Sequence, residues 1–344
     1  MIVSLLAFLV VIGVCVVIHE GGHFLAAVWR NVQVHEFAFG MGPRLFSMKK
    51  RGVLWSIRAF PIGGFVRMEG DEADPLPEDD PDPTRSFPIR RAWERFVIIA
   101  GGAFFNIALA WLLTSVLLAC YGATDLDTPV VGDLIDGYPA KTMGAMPGDR
   151  VLSINGNEIT EWKEIRSTLQ SVATDDVTIV VERDGVEVAL RGDVPYSEEA
   201  SARLWGVQPG RVIYPPLQAF SNGLARCWGA SVQILTSLKK MITGELQAEV
   251  TGPVGIAQMA GTYAREGFWS FIFFLAVINL NLGLLNLLPF PALDGGRLVF
   301  VLGEMIFRRK FPEAWENRIH IVGLVMLLVL IAFVTWKDIS RLMG

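Results

Sequence analysis

Two histidines and a glutamate stand close together near the N-terminus, in the segment His19-Glu20-Gly21-Gly22-His23. Residues four apart share one face of a helix about one turn apart, so His19 and His23 can hold one zinc ion between their imidazoles. Glu20 beside them can take a proton from the attacking water. The alternative is a buried polar trio that neighbouring helices satisfy, because a pattern of five residues also arises by chance.

A catalytic zinc site needs a third protein ligand, and Asp294 is the best candidate. It follows an apolar run that has no other reason to carry a carboxylate, and Pro289 and Pro291 end that helix. Non-helical backbone at membrane depth is tolerated where protein covers it or where it lines water. His35 lies in a polar segment and His320 begins an apolar one, so both are weaker candidates.

Gly21 and Gly22 interrupt the histidine motif, although each glycine costs a helix about 1 kcal/mol relative to alanine. They would allow the close approach of another helix or of a substrate backbone, and the residues alone leave both explanations open.

The elements that must position these residues are apolar. The hydrophobic set makes up 52% of the 344 residues and only 19% are charged. A bilayer span needs about 20 mostly apolar residues, and four stretches qualify: residues 1–29, 96–121, 268–290 and 319–336. The N-terminal run lacks the basic residues of a signal peptide. The net charge of −5 without a long basic block argues against a nucleic-acid partner.

Lysine and arginine near the span ends predict the orientation of the chain. They are concentrated in residues 30–95 and between the third and fourth spans, which we expect on the cytoplasmic side. The long segment between spans two and three and both termini are then extracytoplasmic. The metal motif closes the first span, so the site lies toward the cytoplasmic face.

In residues 125–196, apolar and polar residues alternate as they do in the strands of a small soluble domain. Asn155-Gly156 is a strong hairpin signal, and Trp162 to Ser171 has helical spacing. The order of strands and helices resembles a PDZ domain, which takes an extended peptide at a sheet edge; a steric spacer without a ligand is the alternative. Residues 215–262 are predicted to form linker helices. Leu217 to Met241 has an amphipathic pattern, and this helix would either lie on the membrane surface or pack against the rest of the protein.

Residues 19–23 and 281–296 resemble the HExxH and NxxPxPxLDG motifs of the site-2 protease family, peptidase family M50. The chain is similar to the bacterial regulator-of-sigma-E protease branch, with a single PDZ domain. The resemblance implies a polytopic α-helical membrane protein of the bacterial cytoplasmic membrane, with four transmembrane helices, a membrane-associated β-hairpin and one inserted PDZ domain. Residues 39–43, 61–68 and 251–257 also resemble segments of this family.

The same resemblance implies roles for named residues. One zinc is held by His19, His23 and Asp294, with Glu20 as general base, and the substrate is bound by Asn281, Asn286, Pro289 and Pro291. The two asparagines could instead only join helices. The implied substrates are single-span membrane proteins, such as anti-sigma factors or signal-peptide remnants, cleaved within the membrane.

Strand-like runs at Leu45 to Met48 and Val53 to Phe60 predict a β-hairpin that dips into the membrane. It would offer an edge strand to the substrate, or only brace the helices. Rival functions are a membrane-bound zinc protease of soluble peptides, a non-catalytic PDZ scaffold, and an ion transporter, which the lack of paired repeats disfavours.

Overall fold

The computed structural model describes residues 2–70, 81–198, 201–246 and 251–343. The chain divides into two compact units, Met1–Ser115 with Phe220–Gly344, and Val116–Ala219. In the described residues the helices are α1 (Ile2–Trp29), α2 (Ala92–Cys120), α3 (Pro139–Thr142), α4 (Trp162–Ser171), α5 (Pro216–Ile242), α6 (Pro253–Glu266), α7 (Phe268–Leu287), α8 (Asp294–Phe307) and α9 (Glu313–Met343). The strands are β1 (Val34–Lys50), β2 (Val53–Met68), β3 (Ala123–Thr124), β4 (Val131–Leu134), β5 (Arg150–Ile154), β6 (Asn157–Glu158), β7 (Asp176–Arg183), β8 (Val186–Asp193), β9 (Tyr196–Ser197), β10 (Ala202–Arg203), β11 (Val207–Pro209) and β12 (Arg211–Val212).

Within the described ranges, four helices are long and apolar enough to cross a membrane: Ile2–Trp29, Ala92–Cys120, Phe268–Leu287 and Ala314–Arg341. They correspond to the four predicted spans, and much of their apolar surface is exposed in the protein alone. In water such a surface would be unfavourable. The chain is therefore a helical membrane protein.

The third and fourth apolar helices differ in length from the predicted spans 268–290 and 319–336. α7 ends at Leu287, because Pro289 lacks a backbone donor and biases the residue before it to extended form. α9 instead runs from Glu313 to Met343. The predicted linker stretch 215–262 contains α5 and the larger part of α6, and its residues 247–250, like residues 71–80, lie outside the described part of the chain.

β1 and β2 are much longer than the two predicted strand runs and bend back on each other. Ala38 pairs with Phe65 on one side and with Ser56 on the other, while Ser56 also pairs with Ser47. Residues 34–39 are therefore a middle strand, with residues 53–57 and 64–68 on either side. Gly40 and Gly42 have positive φ, a conformation that glycine adopts without strain, so residues 39–43, one of the segments singled out in the sequence, form the bend.

Inside this folded sheet lies a carboxylate surrounded by cations. Glu36 is 1% exposed, and its Oε1 accepts hydrogen bonds from Ser56 Oγ at 2.5 Å and Arg58 Nη2 at 2.8 Å. Arg44 Nη2 lies 3.2 Å from Oε2. Burial alone would raise the pKa of Glu36, but the Ser56 hydrogen bond and the arginines hold it below its usual range.

We expect a Glu36→Gln variant to be less stable than the wild type by about 1–3 kcal/mol at pH 7, because it leaves partly buried guanidinium groups without their counter-charge. Since the folded-state pKa of Glu36 is lowered, its contribution is complete above the unfolded pKa of about 4.5 and is lost as the pH falls through the folded pKa. The difference in melting temperature between the two proteins should therefore shrink below about pH 4.5. A pH-independent difference would contradict this role of the carboxylate.

The second unit, Val116–Ala219, contains a four-stranded antiparallel sheet in the order β6-β5-β7-β8. The helix α4 begins with a capping box between Glu161 and Glu164 and covers the sheet with Ile165 and Leu169. A separate pair, β4 and β11, lies in the same unit. A groove of about 350 Å³ is lined by one face of α4 and by residues 203–207.

Candidate metal centre and active-site cavity

Three potential metal ligands meet between the last third of α1 and the start of α8. His19 and His23 lie one turn apart on α1, and Asp294 is the first residue of α8, directly after the non-helical residues 288–293. Asp294 Oδ2 lies 3.1 Å from His19 Nε2 and 3.3 Å from His23 Nε2. The two Nε2 atoms are 3.3 Å apart. Among the described residues, this is the one group of histidine, cysteine and acidic side chains close enough to share a metal ion.

The donor set fits zinc. Ligand atoms about 2.0–2.1 Å from a tetrahedral zinc lie about 3.3 Å from one another, which matches the triangle of the three side chains. Asp294 Oδ2 is buried without a hydrogen-bond partner in the described part of the protein. A buried carboxylate oxygen in that state is costly, and a cation between the three atoms would satisfy it. Two imidazoles and one carboxylate also leave a fourth position free for water or substrate.

α2 orients the second histidine through its backbone. His23 Nδ1 lies 2.9 Å from the main-chain oxygen of Ile98. A carbonyl oxygen can only accept, so Nδ1 carries the hydrogen and Nε2 keeps its lone pair for a metal. A Cβ built at Gly102 would lie 2.9 Å from His19 Nδ1, closer than real contacts allow, and would also collide with the ring of His23. The centre therefore depends on the close approach of α2.

Gly22 is the reason why α1 and α2 approach so closely. A Cβ at Gly22 would collide with the main-chain oxygen of Gly101 and would lie 2.9 Å from Gly102 Cα. At Gly21 a Cβ would meet no described atom within 4 Å. The two glycines of the motif thus differ: Gly22 serves the packing of two helices, and Gly21 faces open space.

A cavity of about 210 Å³ opens beside the three ligands. Glu20 lines it, and so do residues 64–66 of β2. A Cβ at Gly64 would lie 3.0 Å from Glu20 Cγ and 2.8 Å from the main-chain oxygen of Ala38, so only glycine allows the strand to pass this close to the carboxylate. Residues 64–68 pair with β1 on one side only within the described sheet. Gly64, Phe65, Val66 and Met68 of this edge strand line the cavity together with the three ligands.

The other predicted site residues lie apart from this cavity, whose lining includes none of Asn281, Asn286, Pro289 and Pro291. Asn281 Nδ2 donates to Val277 O in its own helix at 3.0 Å. At about 100° per residue, Asn281 and Asn286 point about 140° apart around α7. Pro289 and Pro291 belong to the non-helical segment that leads to Asp294.

The two remaining histidines have other partners. His35 Nε2 lies 2.7 Å from Glu69 Oε2, away from the three ligands. His320, on α9, accepts a hydrogen bond at Nδ1 from the backbone N–H of Ala292, at 3.1 Å. Ala292 has a φ of 75°, an uncommon conformation for a residue with a side chain. His320 therefore braces the segment that carries Asp294, a role that its position at the head of an apolar run did not reveal.

Sequence reasoning did not identify Arg297 as a site residue, and it noted residues 61–68 only as similar to the family, yet Arg297 and residues 64–66 both line the cavity. Arg297 follows Asp294 by three residues and so lies about one turn further along α8. That spacing could have suggested it. The approach of residues 64–66 to Glu20 depends on long-range pairing, for which the sequence carries no local signal.

Comparison with known proteins agrees with this geometry. The family model of peptidase family M50 matches residues 7–330. The chain is 33% identical over 341 residues to a protein of Clostridium acetobutylicum named "putative zinc metalloprotease", over 98% of this chain and 96% of that protein. A Clostridium perfringens protein of the same description is 34% identical over 339 residues, covering 98% and 97% of the two chains. Zinc metalloprotease RasP of Bacillus licheniformis is 29% identical over 418 residues, covering 98% and 99%.

The chain therefore belongs to peptidase family M50, and it is a metalloprotease. The family predicted from the two motifs is confirmed.

Proposed function

We propose that this protein is a zinc metalloprotease that hydrolyses peptide bonds within the transmembrane segments of single-span membrane proteins. The observation that carries the proposal is the triangle of His19 Nε2, His23 Nε2 and Asp294 Oδ2, with sides of 3.1–3.3 Å. It lies at the junction of α1, α2 and α8, and α1 and α2 are both apolar enough to span a bilayer. Histidine and carboxylate are costly in such surroundings unless they serve a site.

His19, His23 and Asp294 would hold the zinc, which when bound polarises the scissile carbonyl and makes water nucleophilic at neutral pH. Glu20 lines the same cavity. Its carboxylate takes the proton of the attacking water and then delivers it to the amide nitrogen of the leaving segment. Glu20 therefore serves both proton transfers, the one from water and the one to the leaving nitrogen.

A transmembrane helix satisfies its amide groups internally, so the substrate must unwind before it can be cut. The outer edge of residues 64–68 can pair with the unwound backbone, because that edge is adjacent to Glu20 and has backbone groups left over from the sheet. The hairpin predicted from the sequence provides the other outer strand of this sheet, residues 44–50; we favour residues 64–68 because they line the cavity together with Glu20. Asn286 would contribute its amide to the substrate backbone only after a rearrangement of α7, since it lies outside the cavity.

We further propose that the protein lies in a bacterial cytoplasmic membrane, with the metal centre toward the cytoplasmic side. The support is the concentration of basic residues in the loops 30–95 and 308–318. The second unit would then be extracytoplasmic. Its sheet, the helix α4 and the groove beside residues 203–207 favour a single PDZ-like domain that takes an extended peptide; use of the domain only as a spacer is the alternative.

The test is cleavage of a model single-span protein by the purified full-length chain in detergent. We expect one cut within the apolar segment, mapped by mass spectrometry, which is lost on chelation and restored by zinc. An Asp294→Ala variant should lose both zinc and cleavage. A protease of soluble peptides would instead cut a water-soluble peptide equally well, and a PDZ scaffold would cut neither substrate.

A further inference from the structure

The two histidines of the metal centre differ in the hydrogen bonding of Nδ1, the ring nitrogen that does not face the metal site. His23 Nδ1 has the main-chain oxygen of Ile98 as its acceptor. His19 Nδ1 is buried and has no hydrogen-bond partner among the residues that the structure describes. A metal-bound imidazole almost always donates its second ring N–H, because that bond fixes the tautomer and the orientation of the ring. An acceptor for His19 is therefore expected close to the ring.

The face of α2 beside His19 carries a suitable side chain. A Cβ built at Gly102 would lie 2.7 Å from His19 Cε1 and 2.9 Å from His19 Nδ1, so this edge of the ring lies directly against α2. Asn106 follows Gly102 by four residues and lies on the same face, about one turn further on. Side chains on a helix lean toward its N-terminus. From this position the side chain of Asn106 is expected to reach back toward Gly102 and the ring.

Asn106 is itself a buried group without a partner. It is 0% exposed, and neither its Oδ1 nor its Nδ2 is hydrogen-bonded within the described ranges. Thr114 and Ser115, further along the same helix, satisfy their hydroxyl groups by donating to carbonyls one turn back. A fully buried, unpaired amide in an apolar helix is unfavourable and points to a role outside its own helix.

We propose that Asn106 is the positioning residue of His19 when zinc is bound: after a change of its side-chain rotamer, its Oδ1 accepts the hydrogen of His19 Nδ1, which leaves Nε2 free to bind zinc. α2 then orients both histidines, His23 through a main-chain oxygen and His19 through an amide. Asn106 touches neither substrate nor metal. The inference rests on the proposed function, because it concerns the same zinc centre.

The experiment measures the zinc affinity of the purified full-length protein in detergent, by competition with a chromophoric chelator. Asn106→Leu keeps the approximate size of the side chain but removes the acceptor, and should weaken zinc binding by about 10- to 100-fold. Asn106→Asp restores an acceptor and should stay within a few-fold of the wild type. The absorption bands of the cobalt-substituted protein should change in Asn106→Leu, because the ring of His19 loses its fixed orientation.

Asn279→Leu is the matched control, since Asn279 is also 0% exposed and also has a buried oxygen without a partner, on α7. Its zinc affinity should equal that of the wild type. Wild-type affinity in Asn106→Leu, or equal losses in Asn106→Leu and Asn106→Asp, would overturn the inference. If the wild-type protein itself bound no zinc or cut no single-span substrate, the proposed function would fail instead, so the two failures are distinct.

Discussion

A Glu20→Gln variant is expected to bind zinc as the wild type does and to cleave a single-span substrate about 10²- to 10⁴-fold more slowly. The amide has nearly the shape of the carboxylate but cannot take a proton, and loss of a general base costs a factor of this size. Glu20 contributes none of the three ligand atoms, so the substitution leaves the metal centre intact. Zinc content and single-turnover cleavage rate, measured on the same preparation, test both halves of the prediction.

Glu266→Gln provides the control, because this exposed carboxylate lies at the end of α6 and does not line the cavity. It should cleave at the wild-type rate. Cleavage by Glu20→Gln at a comparable rate would remove Glu20 from the mechanism. Loss of zinc together with cleavage would instead make Glu20 part of the metal centre.

Gly22→Ala is the second substitution with a large expected effect. The added methyl group would meet backbone atoms of Gly101 and Gly102, which cannot turn aside as a flexible side chain can. α1 and α2 must then separate, and overpacking of this kind costs about 1–3 kcal/mol. The separation also lengthens the hydrogen bond from His23 to Ile98, so zinc affinity should fall by about 10- to 100-fold. Melting temperature and zinc affinity are the measurements.

Gly21→Ala is the paired control, one residue away in the same helix. Its methyl group meets no described atom within 4 Å, and alanine favours a helix over glycine by about 1 kcal/mol. The variant should therefore melt at the same temperature as the wild type or higher, with unchanged zinc affinity. Equal losses in the two alanine variants would contradict the assignment of the close helix contact to Gly22 alone.

The ligand triangle could be foreseen from the sequence because its members have strong local signals. Spacing of four residues brings His19 and His23 to one face of a helix, and the prolines before Asp294 indicate that a carboxylate starts a new element. The support from α2 could not be foreseen. Ile98 acts through its main-chain oxygen, which every residue type possesses, so no pattern of side chains indicates it.

The sheet beside the cavity was predicted less well than the helices. Two short strand runs were expected, but β1 runs through Gly40, Gly42 and Pro43, residues that normally end a strand. The long-range pairing of Ala38 with both Phe65 and Ser56 overrides those local signals. The helix expected over Trp162 to Ser171 is confirmed with the same bounds, because its apolar spacing and its capping box agree with each other.

The split of the ligand triangle between α1 and α8 has a consequence for biosynthesis. About 270 residues separate His23 from Asp294, and at typical rates of synthesis the ribosome needs roughly 15–55 seconds to add them. During that interval the growing chain has only two of its three ligands. The enzyme thus becomes competent only after Asp294 has been added, and until then membrane proteins emerging nearby are not exposed to an active protease.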